Sequence, residues 1–152
     1  MIKAPWLAFY GSVPHHLDYP DGSMLQMLEE VAEKYPEHIA YDFLGTKRTY
    51  SQFIGEINRC AKALKALGIK EDDRVTVCLP NVPQAIIMFY AVNLIGAISN
   101  MIHPLSSEGE IRFYLQDSNS VAAITLDAFY DKFENVTKDT NVKYLIITSI
   151  KD

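Results

Sequence analysis

Apolar residues first fall into a steady period at Leu25. From there Leu25, Leu28, Val31, Ala32 and Tyr35 recur at helical spacing, opposite a polar face of Glu29, Glu30, Glu33 and Lys34. Ser23, with Gln26 three residues later, makes a capping box ahead of this helix, and Pro36 stops it. The period then changes to alternation at Ile39, Tyr41 and Phe43. Gly45-Thr46-Lys47 offers a turn into a short strand from Arg48 to Tyr50, so a small hairpin is expected. Thr49 is placed to cap a second helix, with Gln52 at its third position. Phe53, Ile57, Cys60, Ala61, Leu64 and Leu67 form its apolar stripe, and Gly68 ends it as a left-handed cap.

After Gly68 the chain alternates between short apolar runs and helical segments. The runs are Val75 to Leu79, Ala97 to Ile102, Val121 to Leu126 and Val142 to Ser149. Between them lie helices from Val82 to Ile95, from Ser107 to Gln116 with a Ser107/Glu110 capping box, and from Ala128 to Val136 behind Asp127 as N-cap. This order predicts an α/β fold: a mainly parallel open sheet with flanking helices, built from βαβ units. The expected organisation is an extended arm over residues 1–22, rich in aromatics and prolines and packed on something, then an α/β subdomain over 23–152 that forms an incomplete part of a larger domain.

The run from Val75 to Ser107 contains no Asp, Glu, Lys or Arg. Its longest unbroken apolar segment, Ala85 to Ile98, falls short of the roughly 20 residues a bilayer requires and includes Asn93 and Gly96. A helix covered on nearly every face, deep in a larger α/β body, is therefore expected in place of a membrane span. Peripheral association with a membrane stays open.

Composition narrows the function classes. With 49% hydrophobic and 22% charged residues among 152, the chain is that of a folded globular protein and excludes disorder. The net charge of −5 is spread over both halves, and no basic run exists to neutralise phosphates, which argues against nucleic acid as a partner. Two cysteines, Cys60 and Cys78, make neither a disulfide framework nor a zinc motif, and a cytoplasmic location is expected. The first ten residues hold one lysine and Pro5, unlike a secretory signal, so a natural start at Met1 is expected.

Chemical motifs are scarce. The seven glycines are too dispersed for a dinucleotide fingerprint or a Walker loop, and no Gly-x-Ser-x-Gly elbow occurs. Lys47 after Gly45-Thr46 reads as a hairpin residue. His15 and His16, near Asp18, read as surface histidines, and His38 as an exposed residue at a strand start. His103, before Pro104 at the C-terminal end of a parallel strand, lies where open α/β sheets gather ligands, yet no carboxylate is near it in sequence to orient it. Cys60 and Cys78 read as core residues. Glu108 with Glu110 suits a helix first turn, and Asp72 with Asp73 a turn before a strand.

The stretch Lys47-Arg48-Thr49-Tyr50-Ser51-Gln52-Phe53 resembles the first core motif of the adenylate-forming enzymes, with Gln52-Phe53 in place of the usual Glu-Leu. Leu67-Gly68-Ile69-Lys70-Glu71-Asp72-Asp73-Arg74-Val75, followed by Leu79-Pro80-Asn81-Val82-Pro83, is similar to a second passage of that family, with Asp72 where glycine is usual. Leu94-Ile95-Gly96-Ala97-Ile98 through His103-Pro104-Leu105 resembles the second core motif, with His103 at a position commonly Asn. The opening arm, with Pro5-Trp6, Tyr10, Val13-Pro14 and Tyr19-Pro20, is most similar to that of bacterial long-chain fatty acid-CoA ligases.

The resemblance implies an AMP-forming acyl-CoA synthetase as parent. Such an enzyme joins a fatty acid to ATP as an acyl-adenylate, releases pyrophosphate, and passes the acyl group to coenzyme A, with ATP, Mg²⁺ and coenzyme A as its cofactors. The family's phosphate loop, adenine and ribose motifs and catalytic lysine all lie downstream of Asp152. No catalytic, cofactor-binding or metal-ligating residue is therefore expected in this chain, which by itself should be inactive. Its expected partner is the remainder of the synthetase, with self-association through the strand Val142 to Ser149. A stand-alone nucleotide- or flavin-binding module around His103 and Pro104, and a natural truncated interaction partner, are the alternatives.

Overall fold

The computed structural model describes residues 4–151. After a 3-10 helix at Pro5–Phe9, the chain forms α1 (Met24–Lys34), the hairpin β1 (Ile39–Phe43) and β2 (Thr46–Thr49), and α2 (Tyr50–Ala66). A parallel sheet follows, with strands β3 (Arg74–Cys78), β4 (Ile98–Met101), β5 (Ala122–Leu126) and β6 (Tyr144–Thr148). The intervening helices are α3 (Pro83–Leu94), α4 (Glu108–Asp117) and α5 (Tyr130–Thr137).

The four strands lie in the order β4-β3-β5-β6, all neighbours parallel. The chain builds outward from β3 to β4, then returns past β3 to lay down β5 and β6. Alternate residues of β3 explain the layers on either side. Val75, Val77 and Leu79 join the core beneath α2 and α3, while Cys78 joins Ile111, Leu115, Phe133 and Val136 of α4 and α5 on the other face.

Local chemistry sets the helix limits. Ser23, Thr49 and Ser107 each accept from the third helical N–H, and Gln26, Gln52 and Glu110 return a bond to the cap, so the three capping boxes form as the sequence predicts. At the C-terminal ends, α2, α3 and α4 close in one way. Gly68, Gly96 and Asn119 take positive φ. Their N–H groups bond to Lys65, Asn93 and Gln116, and the next N–H reaches back to Leu64, Val92 and Leu115. Each helix thereby turns directly toward the following strand.

Three expectations change. The hairpin turn falls on Leu44-Gly45, both at positive φ, and Thr46 and Lys47 belong to β2. Asp127 does not cap α5. Its carboxylate accepts from the adjacent Ala128 N–H, a 3-10 turn occupies Asp127–Phe129, and Phe129 holds the N-cap position. The apolar helix α3 is not covered on every side: Ala85, Met88, Ala91 and Val92 are buried, but Ile86 is 45% exposed. Among the described residues no helix is long and apolar enough to cross a membrane. The arm's Trp6, Val13, Leu17 and Tyr19 are exposed.

Candidate functional site

Parallel strands bring their C-terminal ends to one edge of the sheet, and an α/β sheet holds ligands where strand order reverses. Here that point lies between β3 and β5. Leu79-Pro80-Asn81 leaves β3, Ile102-His103-Pro104-Leu105 leaves β4, and Phe129 follows β5; together they line a groove of about 540 Å³. A second groove of about 500 Å³ adjoins it, sharing Leu79, Pro80, Asn81 and Met101. Its far wall comes from Ile86, Phe89 and Tyr90 of α3 and from Tyr41 and Phe43 of the hairpin.

His103 is brought to this edge as the sequence predicts, with an exposed ring. Its Nδ1 accepts from the Leu105 N–H at 3.2 Å, and its carbonyl accepts from the Ser106 N–H at 3.1 Å. An accepting Nδ1 leaves the proton of a neutral ring on Nε2. The groove lining contains no carboxylate, so His103 lacks the partner that would orient it as a general base.

The remaining candidates fall into structural roles. Cys78 is buried in β3, and burial pushes its thiol up to about 11. Cys60 packs against the core from α2 and its thiol is likewise raised by burial. Both are protonated near neutrality, so neither is an activated nucleophile. Lys47 lies 4.0 Å from Asp42 across the hairpin, and the Asp42 carboxylate also accepts from the Gly45 N–H in the turn. His15 packs edge-on against Tyr10, and His16 and Asp18 are exposed. His38 stacks on Tyr35 just before β1. Among the described residues no three His, Cys, Asp or Glu side chains cluster as a metal site. Glu110 closes its capping box, where the Ser107 N–H and hydroxyl hold its carboxyl below the usual range. Glu108 stands in the same first turn. Asp72, at positive φ, and Asp73 shape the turn into β3, with the Asp73 carboxylate accepting from Lys70 N–H at 2.8 Å.

Two polar clusters leave almost no signal in the sequence. Thr76 on β3 shares a hydrogen bond with Ser120 at 2.7 Å and accepts from Asn100 Nδ2 at 2.9 Å; Asn100 donates also to Ser118. Thr76 and Asn100 are register partners, and this cluster ties β4 and the end of α4 to the central strand. Its only trace in sequence is one polar residue in an apolar strand. On the hairpin, the Tyr41 hydroxyl donates to Glu56 at 2.8 Å, and Arg48 Nε donates to the other carboxylate oxygen at 3.0 Å. These bonds clamp β1 and β2 onto α2.

The edge of the sheet thus carries two adjoining, mainly apolar grooves. The family model described as AMP-binding enzyme matches residues 28–151. The chain belongs to that family. A long-chain-fatty-acid–CoA ligase of Bacillus subtilis is 34% identical over 99% of this chain, and one of Yersinia pestis is 30% identical over 99%. The chain spans 27% of the length of each. Among solved structures, the N-terminal domain of FACL13 from Mycobacterium tuberculosis superposes with a TM-score of 0.79 at 28% identity, covering 84% of this chain and 34% of that one. A long-chain-fatty-acid-CoA ligase from Archaeoglobus fulgidus, at 21% identity, shares the fold with a TM-score of 0.80 over 89% of this chain and 30% of its own.

Within this AMP-binding family member the motif residues do identifiable work. Thr49 and Gln52 of the first motif start α2, Gly68 and Asp72 shape the approach to β3, and Gly96 turns α3 into β4.

Proposed function

We propose that the chain is the N-terminal part of an ATP-dependent long-chain acyl-CoA ligase, supplying structure to an enzyme whose reacting groups lie elsewhere in its polypeptide. The observation that carries this reading is 34% identity over 99% of the chain to a curated ligase of which it spans 27%. The parent joins a fatty acid to ATP as an acyl-adenylate with release of pyrophosphate, and transfers the acyl group to the thiol of coenzyme A. Its location is cytoplasmic.

Mg²⁺ and a triphosphate do not fit the donors at the sheet edge. Mg²⁺ calls for carboxylate oxygens, and the groove after β3 and β4 presents the Asn81 amide, the His103 ring and otherwise carbon and main chain. No catalytic step is routed through these residues, and no residue of this chain is assigned a catalytic role. Fatty acid-dependent exchange of pyrophosphate into ATP tests the reading. The parent polypeptide is expected to catalyse it and the 152-residue chain to show none. Exchange by the short chain, or a parent that accepts no fatty acid, would overturn the proposal.

A further inference from the structure

The loop that leaves β4 is held by its own histidine. Ring Nδ1 of His103 accepts from the Leu105 N–H at 3.2 Å, two residues on and across Pro104. The carbonyl of the same residue accepts from the Ser106 N–H at 3.1 Å and from the Cys78 thiol of the buried strand β3 at 3.7 Å. A side-chain acceptor bonded to the N–H two residues later is the geometry of an Asx turn, which Asn makes with its carboxamide oxygen. In the core motif that Leu94 to Leu105 resembles, the position of His103 is commonly Asn. Here ring Nδ1 takes the place of that oxygen.

The two acceptors differ in one respect. A carboxamide oxygen accepts whatever the pH near neutrality, whereas imidazole Nδ1 accepts only while the ring is neutral. Protonation puts a hydrogen on Nδ1 and sets donor against donor at the Leu105 N–H. The titratable groups on the surrounding elements are Cys78 in β3, Asp127 and Lys132 on either side of Phe129 in sequence, and Glu108 and Glu110 in the first turn of α4. Asp42 stands in the adjoining groove. Burial keeps the Cys78 thiol protonated, raised to about 11, and Lys132 lies over the Phe129 ring. Glu110 is engaged by Ser107, Asp127 by the Ala128 N–H, and Asp42 by Lys47 and the Gly45 N–H. Among the described residues no carboxylate forms an ion pair with His103, so a charged ring gains none when the bond to Leu105 is lost.

We propose that His103 is a pH-dependent latch: its neutral ring closes the turn over Pro104 and Leu105, and protonation of the ring releases that turn. The segment from Ile102 to Leu105 forms one wall of the groove beyond β3 and β4, so release alters the shape of that groove. The latch depends on bonds within the loop and stands independently of the ligase reading.

Nuclear magnetic resonance of the 152-residue chain, with His103→Asn and His103→Leu beside it, tests the latch. Histidine changes charge between about pH 5 and 8, so the titration spans that interval. Ring nitrogen-15 shifts are expected to place the proton of the neutral ring on Nε2. The protection factor of the Leu105 amide, corrected for intrinsic exchange, is expected to fall about two- to tenfold as the ring protonates, the worth of one hydrogen bond. His103→Asn should hold the amide at the protected level throughout, and His103→Leu should leave it at the unprotected level throughout. Amides of β3 should keep constant protection, which separates release of the turn from unfolding. A neutral ring protonated on Nδ1, protection of Leu105 that is unchanged as the ring titrates, full protection in His103→Leu, or a loss of protection that extends to β3 overturns the proposal.

Discussion

Thr76 and Thr125 sit on adjacent strands, both fully buried, but differ in what their hydroxyls meet. Thr76 is bonded to Ser120 and Asn100, while Thr125 Oγ1 has no hydrogen-bond partner among the described residues. A buried hydroxyl without a partner costs about 1 to 3 kcal/mol, and its isosteric replacement by carbon removes that cost. Thr125→Val is therefore expected to raise unfolding free energy by about 1 kcal/mol or more. Thr76→Val is expected to lower it by about 1 kcal/mol, because Asn100 and Ser120 each lose one hydrogen bond and keep the one to Ser118. Urea unfolding of the two variants checks both signs. At the hairpin, burial first and then the bond to Glu56 push the Tyr41 hydroxyl from 10.0 up to about 12. The folded state thus holds this proton more tightly than the unfolded state. Its contribution is fully present below about pH 10 and is lost as pH rises toward 12. Titration of tyrosinate absorbance should show a late-ionising tyrosine that disappears in Tyr41→Phe, and the variant's stability should fall less steeply over that pH range.

Among the elements, the helix ends were the most legible in the sequence, since a capping box or a C-terminal glycine is a local signal that needs no knowledge of the fold. The three capping boxes and the left-handed Gly68 all appear where they were expected. The hairpin turn misled because an exposed leucine, Leu44, takes a left-handed conformation at φ 51, one that a branched apolar residue seldom adopts. Asp127 misled because its carboxylate can satisfy its neighbour's N–H as readily as a helix terminus. The Thr76–Asn100 cluster depends on strand register, which periodicity does not supply. Glycine at the α3 end offers a test at this scale. A Cβ on Gly96 would lie 3.0 Å from Glu71 Cγ, whereas one on Gly68 would meet nothing within 4 Å. Alanine at either position forfeits about 1 to 2 kcal/mol for the left-handed backbone. Gly96→Ala should therefore destabilise more than Gly68→Ala, and matched denaturation midpoints would contradict the contact.

Over the whole molecule, strand order collects the C-terminal ends of β3, β4 and β5 around apolar grooves, and His103 is the one imidazole there. The parallel α/β architecture was readable from the alternation of short apolar runs with amphipathic helices. The character of the edge was not, because it depends on what three separate loops present together. What they present is mainly carbon, with the Asn81 amide and the His103 ring in one groove and the Asp42 carboxylate in the other. The central claim, that this part of an AMP-binding enzyme is a scaffold without a nucleotide site of its own, is tested most directly by calorimetric titration of the 152-residue chain with ATP and Mg²⁺. The account predicts no saturable heat even at millimolar nucleotide; a stoichiometric isotherm with a micromolar Kd would contradict it.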